Sequence, residues 1–276
     1  MTTFLFWNLH RRSLTALVRD LIAEHQVDVV VLAESSLSSL ALLEGLKTDA
    51  SSALILPFSL AEDPQILARY PAESFHPVRD EPGLSIQRCR PPHGLEILLV
   101  LAHLRSKRHL SDDEQSHLAM RCARYIEEAE DRVGHRRTIV LGDLNMNPFE
   151  PGMIGSEGFH AVPTRAIASR GTRVVQGVPR RFFYNPMWNF FGDQTPGPPG
   201  TYYFNASSPV AHFWHMFDQV LIRPELLEDG SDYTVRIITE AGGVSLLASG
   251  GQPNRRVGSD HLPLLFRINL EREAKA

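Results

Sequence analysis

The run Thr138-Ile139-Val140-Leu141-Gly142-Asp143 is apolar and β-branched until it meets a carboxylate at its carboxyl end, whereas Asp218-Gln219-Val220-Leu221-Ile222 meets one at its amino end. Runs of this composition read as strands buried on both faces. Asp143 and Asp218 can then share one rim only if their strands run in opposite directions. Other apolar runs carry the same mark. Asn8 closes Thr3–Trp7, Glu34 closes Val-Val-Val-Leu-Ala, His103 closes Leu-Leu-Val-Leu-Ala, and Asp260-His261 opens Leu-Pro-Leu-Leu-Phe. A doubly wound parallel sheet would put every such residue at a carboxyl end. The mixture favours an α/β fold with a mixed sheet, or two packed sheets, and helices outside.

Outward from these runs, Leu14, Leu17, Val18, Leu21 and Ile22 recur at helical spacing. Ser111 and Glu114 form a capping-box pattern ahead of an apolar stripe of Leu118, Cys122, Tyr125, Ile126 and Ala129. Further strands are predicted at Val27–Leu32, Ala53–Leu56, Gln65–Ala68, Leu84–Arg88, Leu95–Ala102, Thr201–Phe204, Phe217–Ile222, Thr234–Ile238 and Leu262–Ile268. The Gly-, Pro-, Arg- and aromatic-rich segment 164–200 reads as a long functional loop.

With 276 residues, 43% of them hydrophobic, the chain can bury a sizeable core. No apolar stretch approaches the roughly 18–20 residues of a membrane span, and the start lacks a signal-peptide pattern. A cytoplasmic protein is expected, with Cys89 and Cys122 as reduced thiols; one isolated disulfide is the alternative. A net charge of −4 confines any polyanion site to a local patch.

Each polar residue has an ordinary structural reading. Asn8 could form a turn, Glu34 could cap a helix, and His103 could be a satisfied surface histidine. Asp143 and Asn145 could shape the turn before Pro148, and Asp218 and Asp260 could open a strand or cap a turn. Their joint occurrence beside buried runs is what points to a site.

Trp7-Asn8, Leu32-Ala33-Glu34, Ala102-His103-Leu104, Gly142-Asp143-Leu144-Asn145, Phe217-Asp218-Gln219 and Ser259-Asp260-His261 together resemble the ordered motifs of the endonuclease/exonuclease/phosphatase superfamily. They span residues 8–261, and one catalytic domain over 1–276 is expected. The resemblance implies a four-layered α/β/β/α sandwich of two mixed sheets flanked by helices, with the site at one end. It also implies hydrolysis of phosphate esters with Mg²⁺ or Mn²⁺. Glu34 and Asp260, helped by Asn8, would hold the cation, whose hard character suits oxygen ligands. By similarity, Asp143 would orient or deprotonate water, and Asn145 would donate to phosphate. His261, held by Asp218, would stabilise the phosphoryl oxygens, and His103 would donate to phosphate or assist the leaving group. Abasic-site nucleases of this family usually have tyrosine where His103 stands and lysine soon after the glutamate, where Ser35-Ser36 stand here. Those departures argue against a DNA-repair role.

Between Gly158 and Phe191 lie five arginines (Arg165, Arg170, Arg173, Arg180, Arg181) and no carboxylate, with Phe182, Phe183, Tyr184, Trp188, Phe190 and Phe191 following. Arg105, Lys107 and Arg108 follow His103. Arginine forks bind phosphate and aromatic rings stack on bases, so Arg105, Lys107, Arg180 and Arg181 are candidate substrate contacts for nucleic acid. Alternatively the aromatics form a small core, or insert into lipid. A nuclease is the leading expectation, and a phosphatase or phosphodiesterase on an inositol phosphate, phospholipid or other small ester is the alternative. A binding module that has lost chemistry is disfavoured by the complete polar set. No Gly-x-Ser-x-Gly elbow suggests a serine hydrolase.

Overall fold

The computed structural model describes residues 1–47, 54–92, 94–205, 207, 209, 211–227 and 232–271. Two large mixed sheets carry the fold. The five-stranded sheet has the order Tyr233–Ile237, Leu264–Ile268, Thr2–Asn8, Val29–Ala33, Gln65–Ala68. The seven-stranded sheet has the order Phe75–Glu81, Leu84–Cys89, Ile97–His103, Thr138–Asp143, Asp218–Ile222, Phe183–Tyr184, Ala161–Val162.

Period-two alternation explains why the strands read as unbroken apolar runs. Phe4, Phe6, Val29, Val31, Leu99, Leu101, Ile139 and Leu141 face a shared core between the sheets. Their neighbours face outward. Leu5, Trp7, Val30 and Leu32 pack with Val18, Leu21, Ile22 and Leu42 from helices Thr15–His25 and Ser39–Leu46. Leu98, Val100, Ala102 and Val140 pack with Ala119, Cys122, Ile126 and Ala129 of helix Asp112–Val133. That helix starts at the predicted capping box and ends at Gly134, which adopts φ 76°. The four layers follow from strands that must be covered on both faces. Both cysteines are buried and free. No helix among the described residues is long and apolar enough to cross a membrane.

Strand directions answer the question posed by the polar ends. Ile97–His103 and Thr138–Asp143 are parallel, pairing His103 with Asp143. Asp218–Ile222 runs antiparallel to them and pairs Asp218 with Asp143. Gly142 faces Ala102 across the parallel pair, where a Cβ would collide with the Ala102 carbonyl oxygen. Glycine is therefore needed for the strands to stay in register up to the rim.

Several expectations change. Phe75–Glu81 forms a strand that periodicity does not predict, because it lies at a sheet edge, contains Pro77 and has a register shift between Pro77 and Arg79. Of the predicted strand Ala53–Leu56, Ala53 lies outside the described residues, and only Ile55 pairs, with Ala68. Thr201–Phe204 narrows to Tyr202–Tyr203. Segment 164–200 is not an open loop. It holds a helical turn at Arg165–Ala168, a hairpin of Thr172–Val175 with Val178–Arg181, the strand Phe183–Tyr184 and a 3-10 turn at Pro186–Phe190. Phe182, Phe183 and Tyr184 are buried, so these aromatics are core.

Candidate active site

The rim gathers the polar strand ends into one cavity of about 1580 Å³, lined by Glu34, Asp63, His103, Asp143, Asn145, Asp260 and His261 among others. Asn8 and Asp218 are buried against it through their hydrogen bonds. The two sheets meet here: Asn8 Nδ2, from one, donates to Asp143 Oδ2, in the other, at 3.0 Å. The same nitrogen lies 3.4 Å from Glu34 Oε1.

Asp143 serves turn and site together. Its Oδ1 accepts from the Asn145 backbone N–H at 2.9 Å, an Asx-type turn that holds Asn145 at φ 50°. Asn145 Nδ2 donates to the Leu104 carbonyl at 2.8 Å, which leaves its second amide hydrogen for another acceptor. Burial, and then the Asp218 carboxylate, push the Asp143 carboxyl above the ordinary range.

His261 is held on several sides. Its Nδ1 is 2.8 Å from Asp218 Oδ2, and its Nε2 is 4.0 Å from Asp143 Oδ2. Its carbonyl accepts from Trp7 Nε1 at 2.9 Å, and the Tyr202 ring lies 4.8 Å from the imidazole. Burial opposes the imidazolium, but Asp218, Asp143 and Asp260 outweigh it and raise the His261 pKa. Asp218 Oδ1 is buried without a hydrogen-bond partner among the described residues.

His103 forms a second pair, with Nδ1 2.6 Å from Asp63 Oδ2 and Nε2 3.6 Å from Glu34 Oε1. Burial lowers its pKa, but Asp63, Asp143 and Glu34 together carry it up to about 9. Asp63 is the site residue the sequence reading does not name. Its Oδ1 also accepts from the Glu34 backbone N–H at 3.1 Å. A signal was present, since Asp63 precedes the run Gln65–Ala68, which pairs antiparallel with Val29–Ala33 and so starts at the same rim.

Asp260 completes the cluster, with Oδ2 3.5 Å from His10 Nδ1 and 3.4 Å from Arg255 Nη2. The oxygens of Asn8, Glu34, Asp143 and Asp260 are the donors a hard divalent cation takes, and the orphaned Asp218 oxygen is one more buried acceptor that positive charge would offset. Asp143, Asp218 and His261 also bring ligand atoms within 4.8 Å of one another.

Arg105 and Lys107 line the cavity. Lys107 Nζ lies 2.7 Å from Glu150 and 3.0 Å from Asp112. Arg180 and Arg181 do not line it, which corrects the expectation that they contact substrate there. Arg180 pairs with Glu157 at 2.8 Å, and Arg181 with Glu130 and Asp131 at 3.0 and 2.8 Å. Carboxylates from the Asp112–Val133 helix and residue 157, remote in sequence, draw those arginines away.

Residues 5–261 match the family model described as "Endonuclease/Exonuclease/phosphatase family". The chain belongs to that family, and it is a metal-dependent phosphoric ester hydrolase. Among solved structures, D. rerio TDP2 complexed with single strand DNA product is similar over 97% of this chain and 98% of that one, with 19% identity and TM-score 0.57. The Bacteroides thetaiotaomicron mannosyl-6-phosphatase Bt3783 is similar over 98% and 100%, with 13% identity and TM-score 0.57. The endonuclease domain of TRAS1, a telomere-specific non-LTR retrotransposon, is similar over 99% and 100%, with 15% identity and TM-score 0.50. These likenesses concern the fold. No curated protein matches the chain by sequence.

Proposed function

We propose that this chain is a nuclease, hydrolysing nucleic-acid phosphodiesters with Mg²⁺ or Mn²⁺, and that residues 1–276 act as one catalytic domain. The observation that carries this reading is the cavity itself. At about 1580 Å³ it exceeds the roughly 300–1,000 Å³ of small-molecule pockets, and Arg105 and Arg108 line it together with Tyr202 and Phe204. Cations beside aromatic faces suit a polyanion with bases.

In this reading Asn8, Glu34 and Asp260 hold the cation. When bound, it neutralises phosphate charge and lowers the barrier to forming charged phosphoryl oxygens. Asp143, fixed by Asn8 and the Asn145 backbone, orients the attacking water and accepts its proton. Its raised pKa, set by burial and Asp218, matches a base that must take up a proton. His261, kept protonated by Asp218, donates Nε2–H to the phosphoryl group. His103, kept protonated by Asp63, donates to a phosphate or leaving oxygen.

The test is a substrate panel of single- and double-stranded DNA and RNA beside phosphomonoesters and phospholipids. Chelation with EDTA is expected to remove at least 99% of turnover, and added Mg²⁺ or Mn²⁺ to restore it, about a two-decade effect of the kind metal-assisted phosphoryl chemistry implies. Turnover confined to monoesters or lipids would replace the nuclease reading with the small-ester one.

A further inference from the structure

A second cleft of about 720 Å³ adjoins the catalytic cavity, and the two share Phe204 and Asp260. Its walls include Tyr203, Phe204, Gln252, Asn254, Arg255 and Arg256. Phe204 is 46% exposed and stacks on no other ring among the described residues, so a face is available. Tyr203, its neighbour along the chain, is braced by Phe213 at 6.4 Å and Trp214 at 5.3 Å. Arg256 is exposed and has no carboxylate within ion-pair distance among the described residues. That contrasts with Arg180 and Arg181, which are both neutralised by partners.

The segment carrying these arginines is held in place. The Arg12 guanidinium donates to the backbone carbonyls of Arg255, Arg256 and Gly258. Asn254 Oδ1 accepts from the Arg256 backbone N–H at 3.1 Å. Preorganisation of this kind reduces the ordering a ligand must impose.

We infer that this cleft is a nucleotide subsite, binding the nucleotide next to the scissile phosphodiester of a single-stranded nucleic acid. Its base stacks on Phe204, and its phosphate contacts Arg256. The cleft has the volume of a small-molecule pocket, within about 300–1,000 Å³, and an exposed aromatic face accepts only a base that is already unstacked. Arg255 extends the subsite to the catalytic cluster, since its guanidinium lies 3.4 Å from Asp260. Arg105 and Arg108 line the catalytic cavity itself, so cationic side chains are spread over both clefts. A chain passing through the site needs that distribution, and a terminal monoester does not.

This inference rests on the nuclease reading, and its test separates the two. The variants Phe204→Ala and Arg256→Ala are compared with the parent enzyme, each with its divalent ion, on a single-stranded oligonucleotide and on bis(4-nitrophenyl) phosphate, which has no flanking nucleotide. The readout is the ratio of the two kcat/KM values, which cancels any loss of folded protein. In each variant the ratio is expected to fall at least fivefold, mainly through KM on the oligonucleotide, in line with about 5- to 150-fold for the base stack lost with Phe204 and about tenfold or more for the charged hydrogen bond lost with Arg256. A smaller fall in either variant, with a parent that cleaves the oligonucleotide, overturns the subsite and leaves the nuclease reading standing. A parent that cleaves no nucleic acid overturns both.

Discussion

Asp218→Asn is expected to lower kcat by about two to three orders of magnitude, the range for losing a preorganised donor to the reacting oxygens, with KM changing little. Asparagine matches the shape of aspartate, so strand Asp218–Ile222 and its pairing with Asp143 persist. What changes is charge. Asp218 Oδ2 sits 2.8 Å from His261 Nδ1 inside a buried cluster, where burial alone would expel the proton from the imidazole. Without the carboxylate the largest support of the imidazolium is gone, and the ring loses the partner that orients Nε2–H toward phosphate. Asp143 changes in the opposite sense, because the neighbour that raises its pKa becomes neutral. The mutant would therefore keep its shape and weaken the proposed phosphoryl donor. A steady-state comparison beside a thermal melt checks this. A kcat within tenfold of the parent would show that the pair is structural.

The second large effect lies away from the chemistry. Arg223→Ala is expected to destabilise the fold by about 3 kcal/mol, the lower end of the range for breaking a buried pair, because Arg181 still reaches Glu130. Arg223 and Glu130 have side chains only 3% and 0% exposed and meet at 2.7 Å. Arg223 also donates to the Phe182 carbonyl at 3.0 Å, and its guanidinium lies 3.7 Å over the Phe183 ring. Glu130 in turn accepts from Thr138 Oγ1 at 2.8 Å and from Arg181 at 3.0 Å. This node ties the Asp112–Val133 helix to the sheet behind it. Arg181→Ala should cost clearly less, since Glu130 keeps Arg223. Urea unfolding of the two variants distinguishes them, and equal losses would refute the assignment of Arg223 as the principal partner.

Most of the candidate site was legible in the chain because its residues follow a tendency that sheets impose. A polar side chain is more easily satisfied at the end of a buried run than within it, so Asn8, Glu34, His103 and Asp143 stand out from sequence alone. The opposed polarity of Asp218 and Asp260 likewise announced strands running both ways, as the pairing of Asp218 with Asp143 bears out. Edge strand Phe75–Glu81 escaped notice because an edge is free to carry proline and charge.

Local sequence thus dictated which segments are buried strands, where the long helix begins, and which polar groups end at a rim, because burial and capping act over a few residues. Partner choice depended on the assembled fold. Whether an arginine meets phosphate or a carboxylate depends on what another element carries to within about 4 Å, the reach of a direct ion pair. Arg181 found Glu130, Asp63 found His103, and Arg256 was left facing a cleft. The run after Asp63 brings it to the rim, but the partner each of these three residues meets is set by elements remote in sequence.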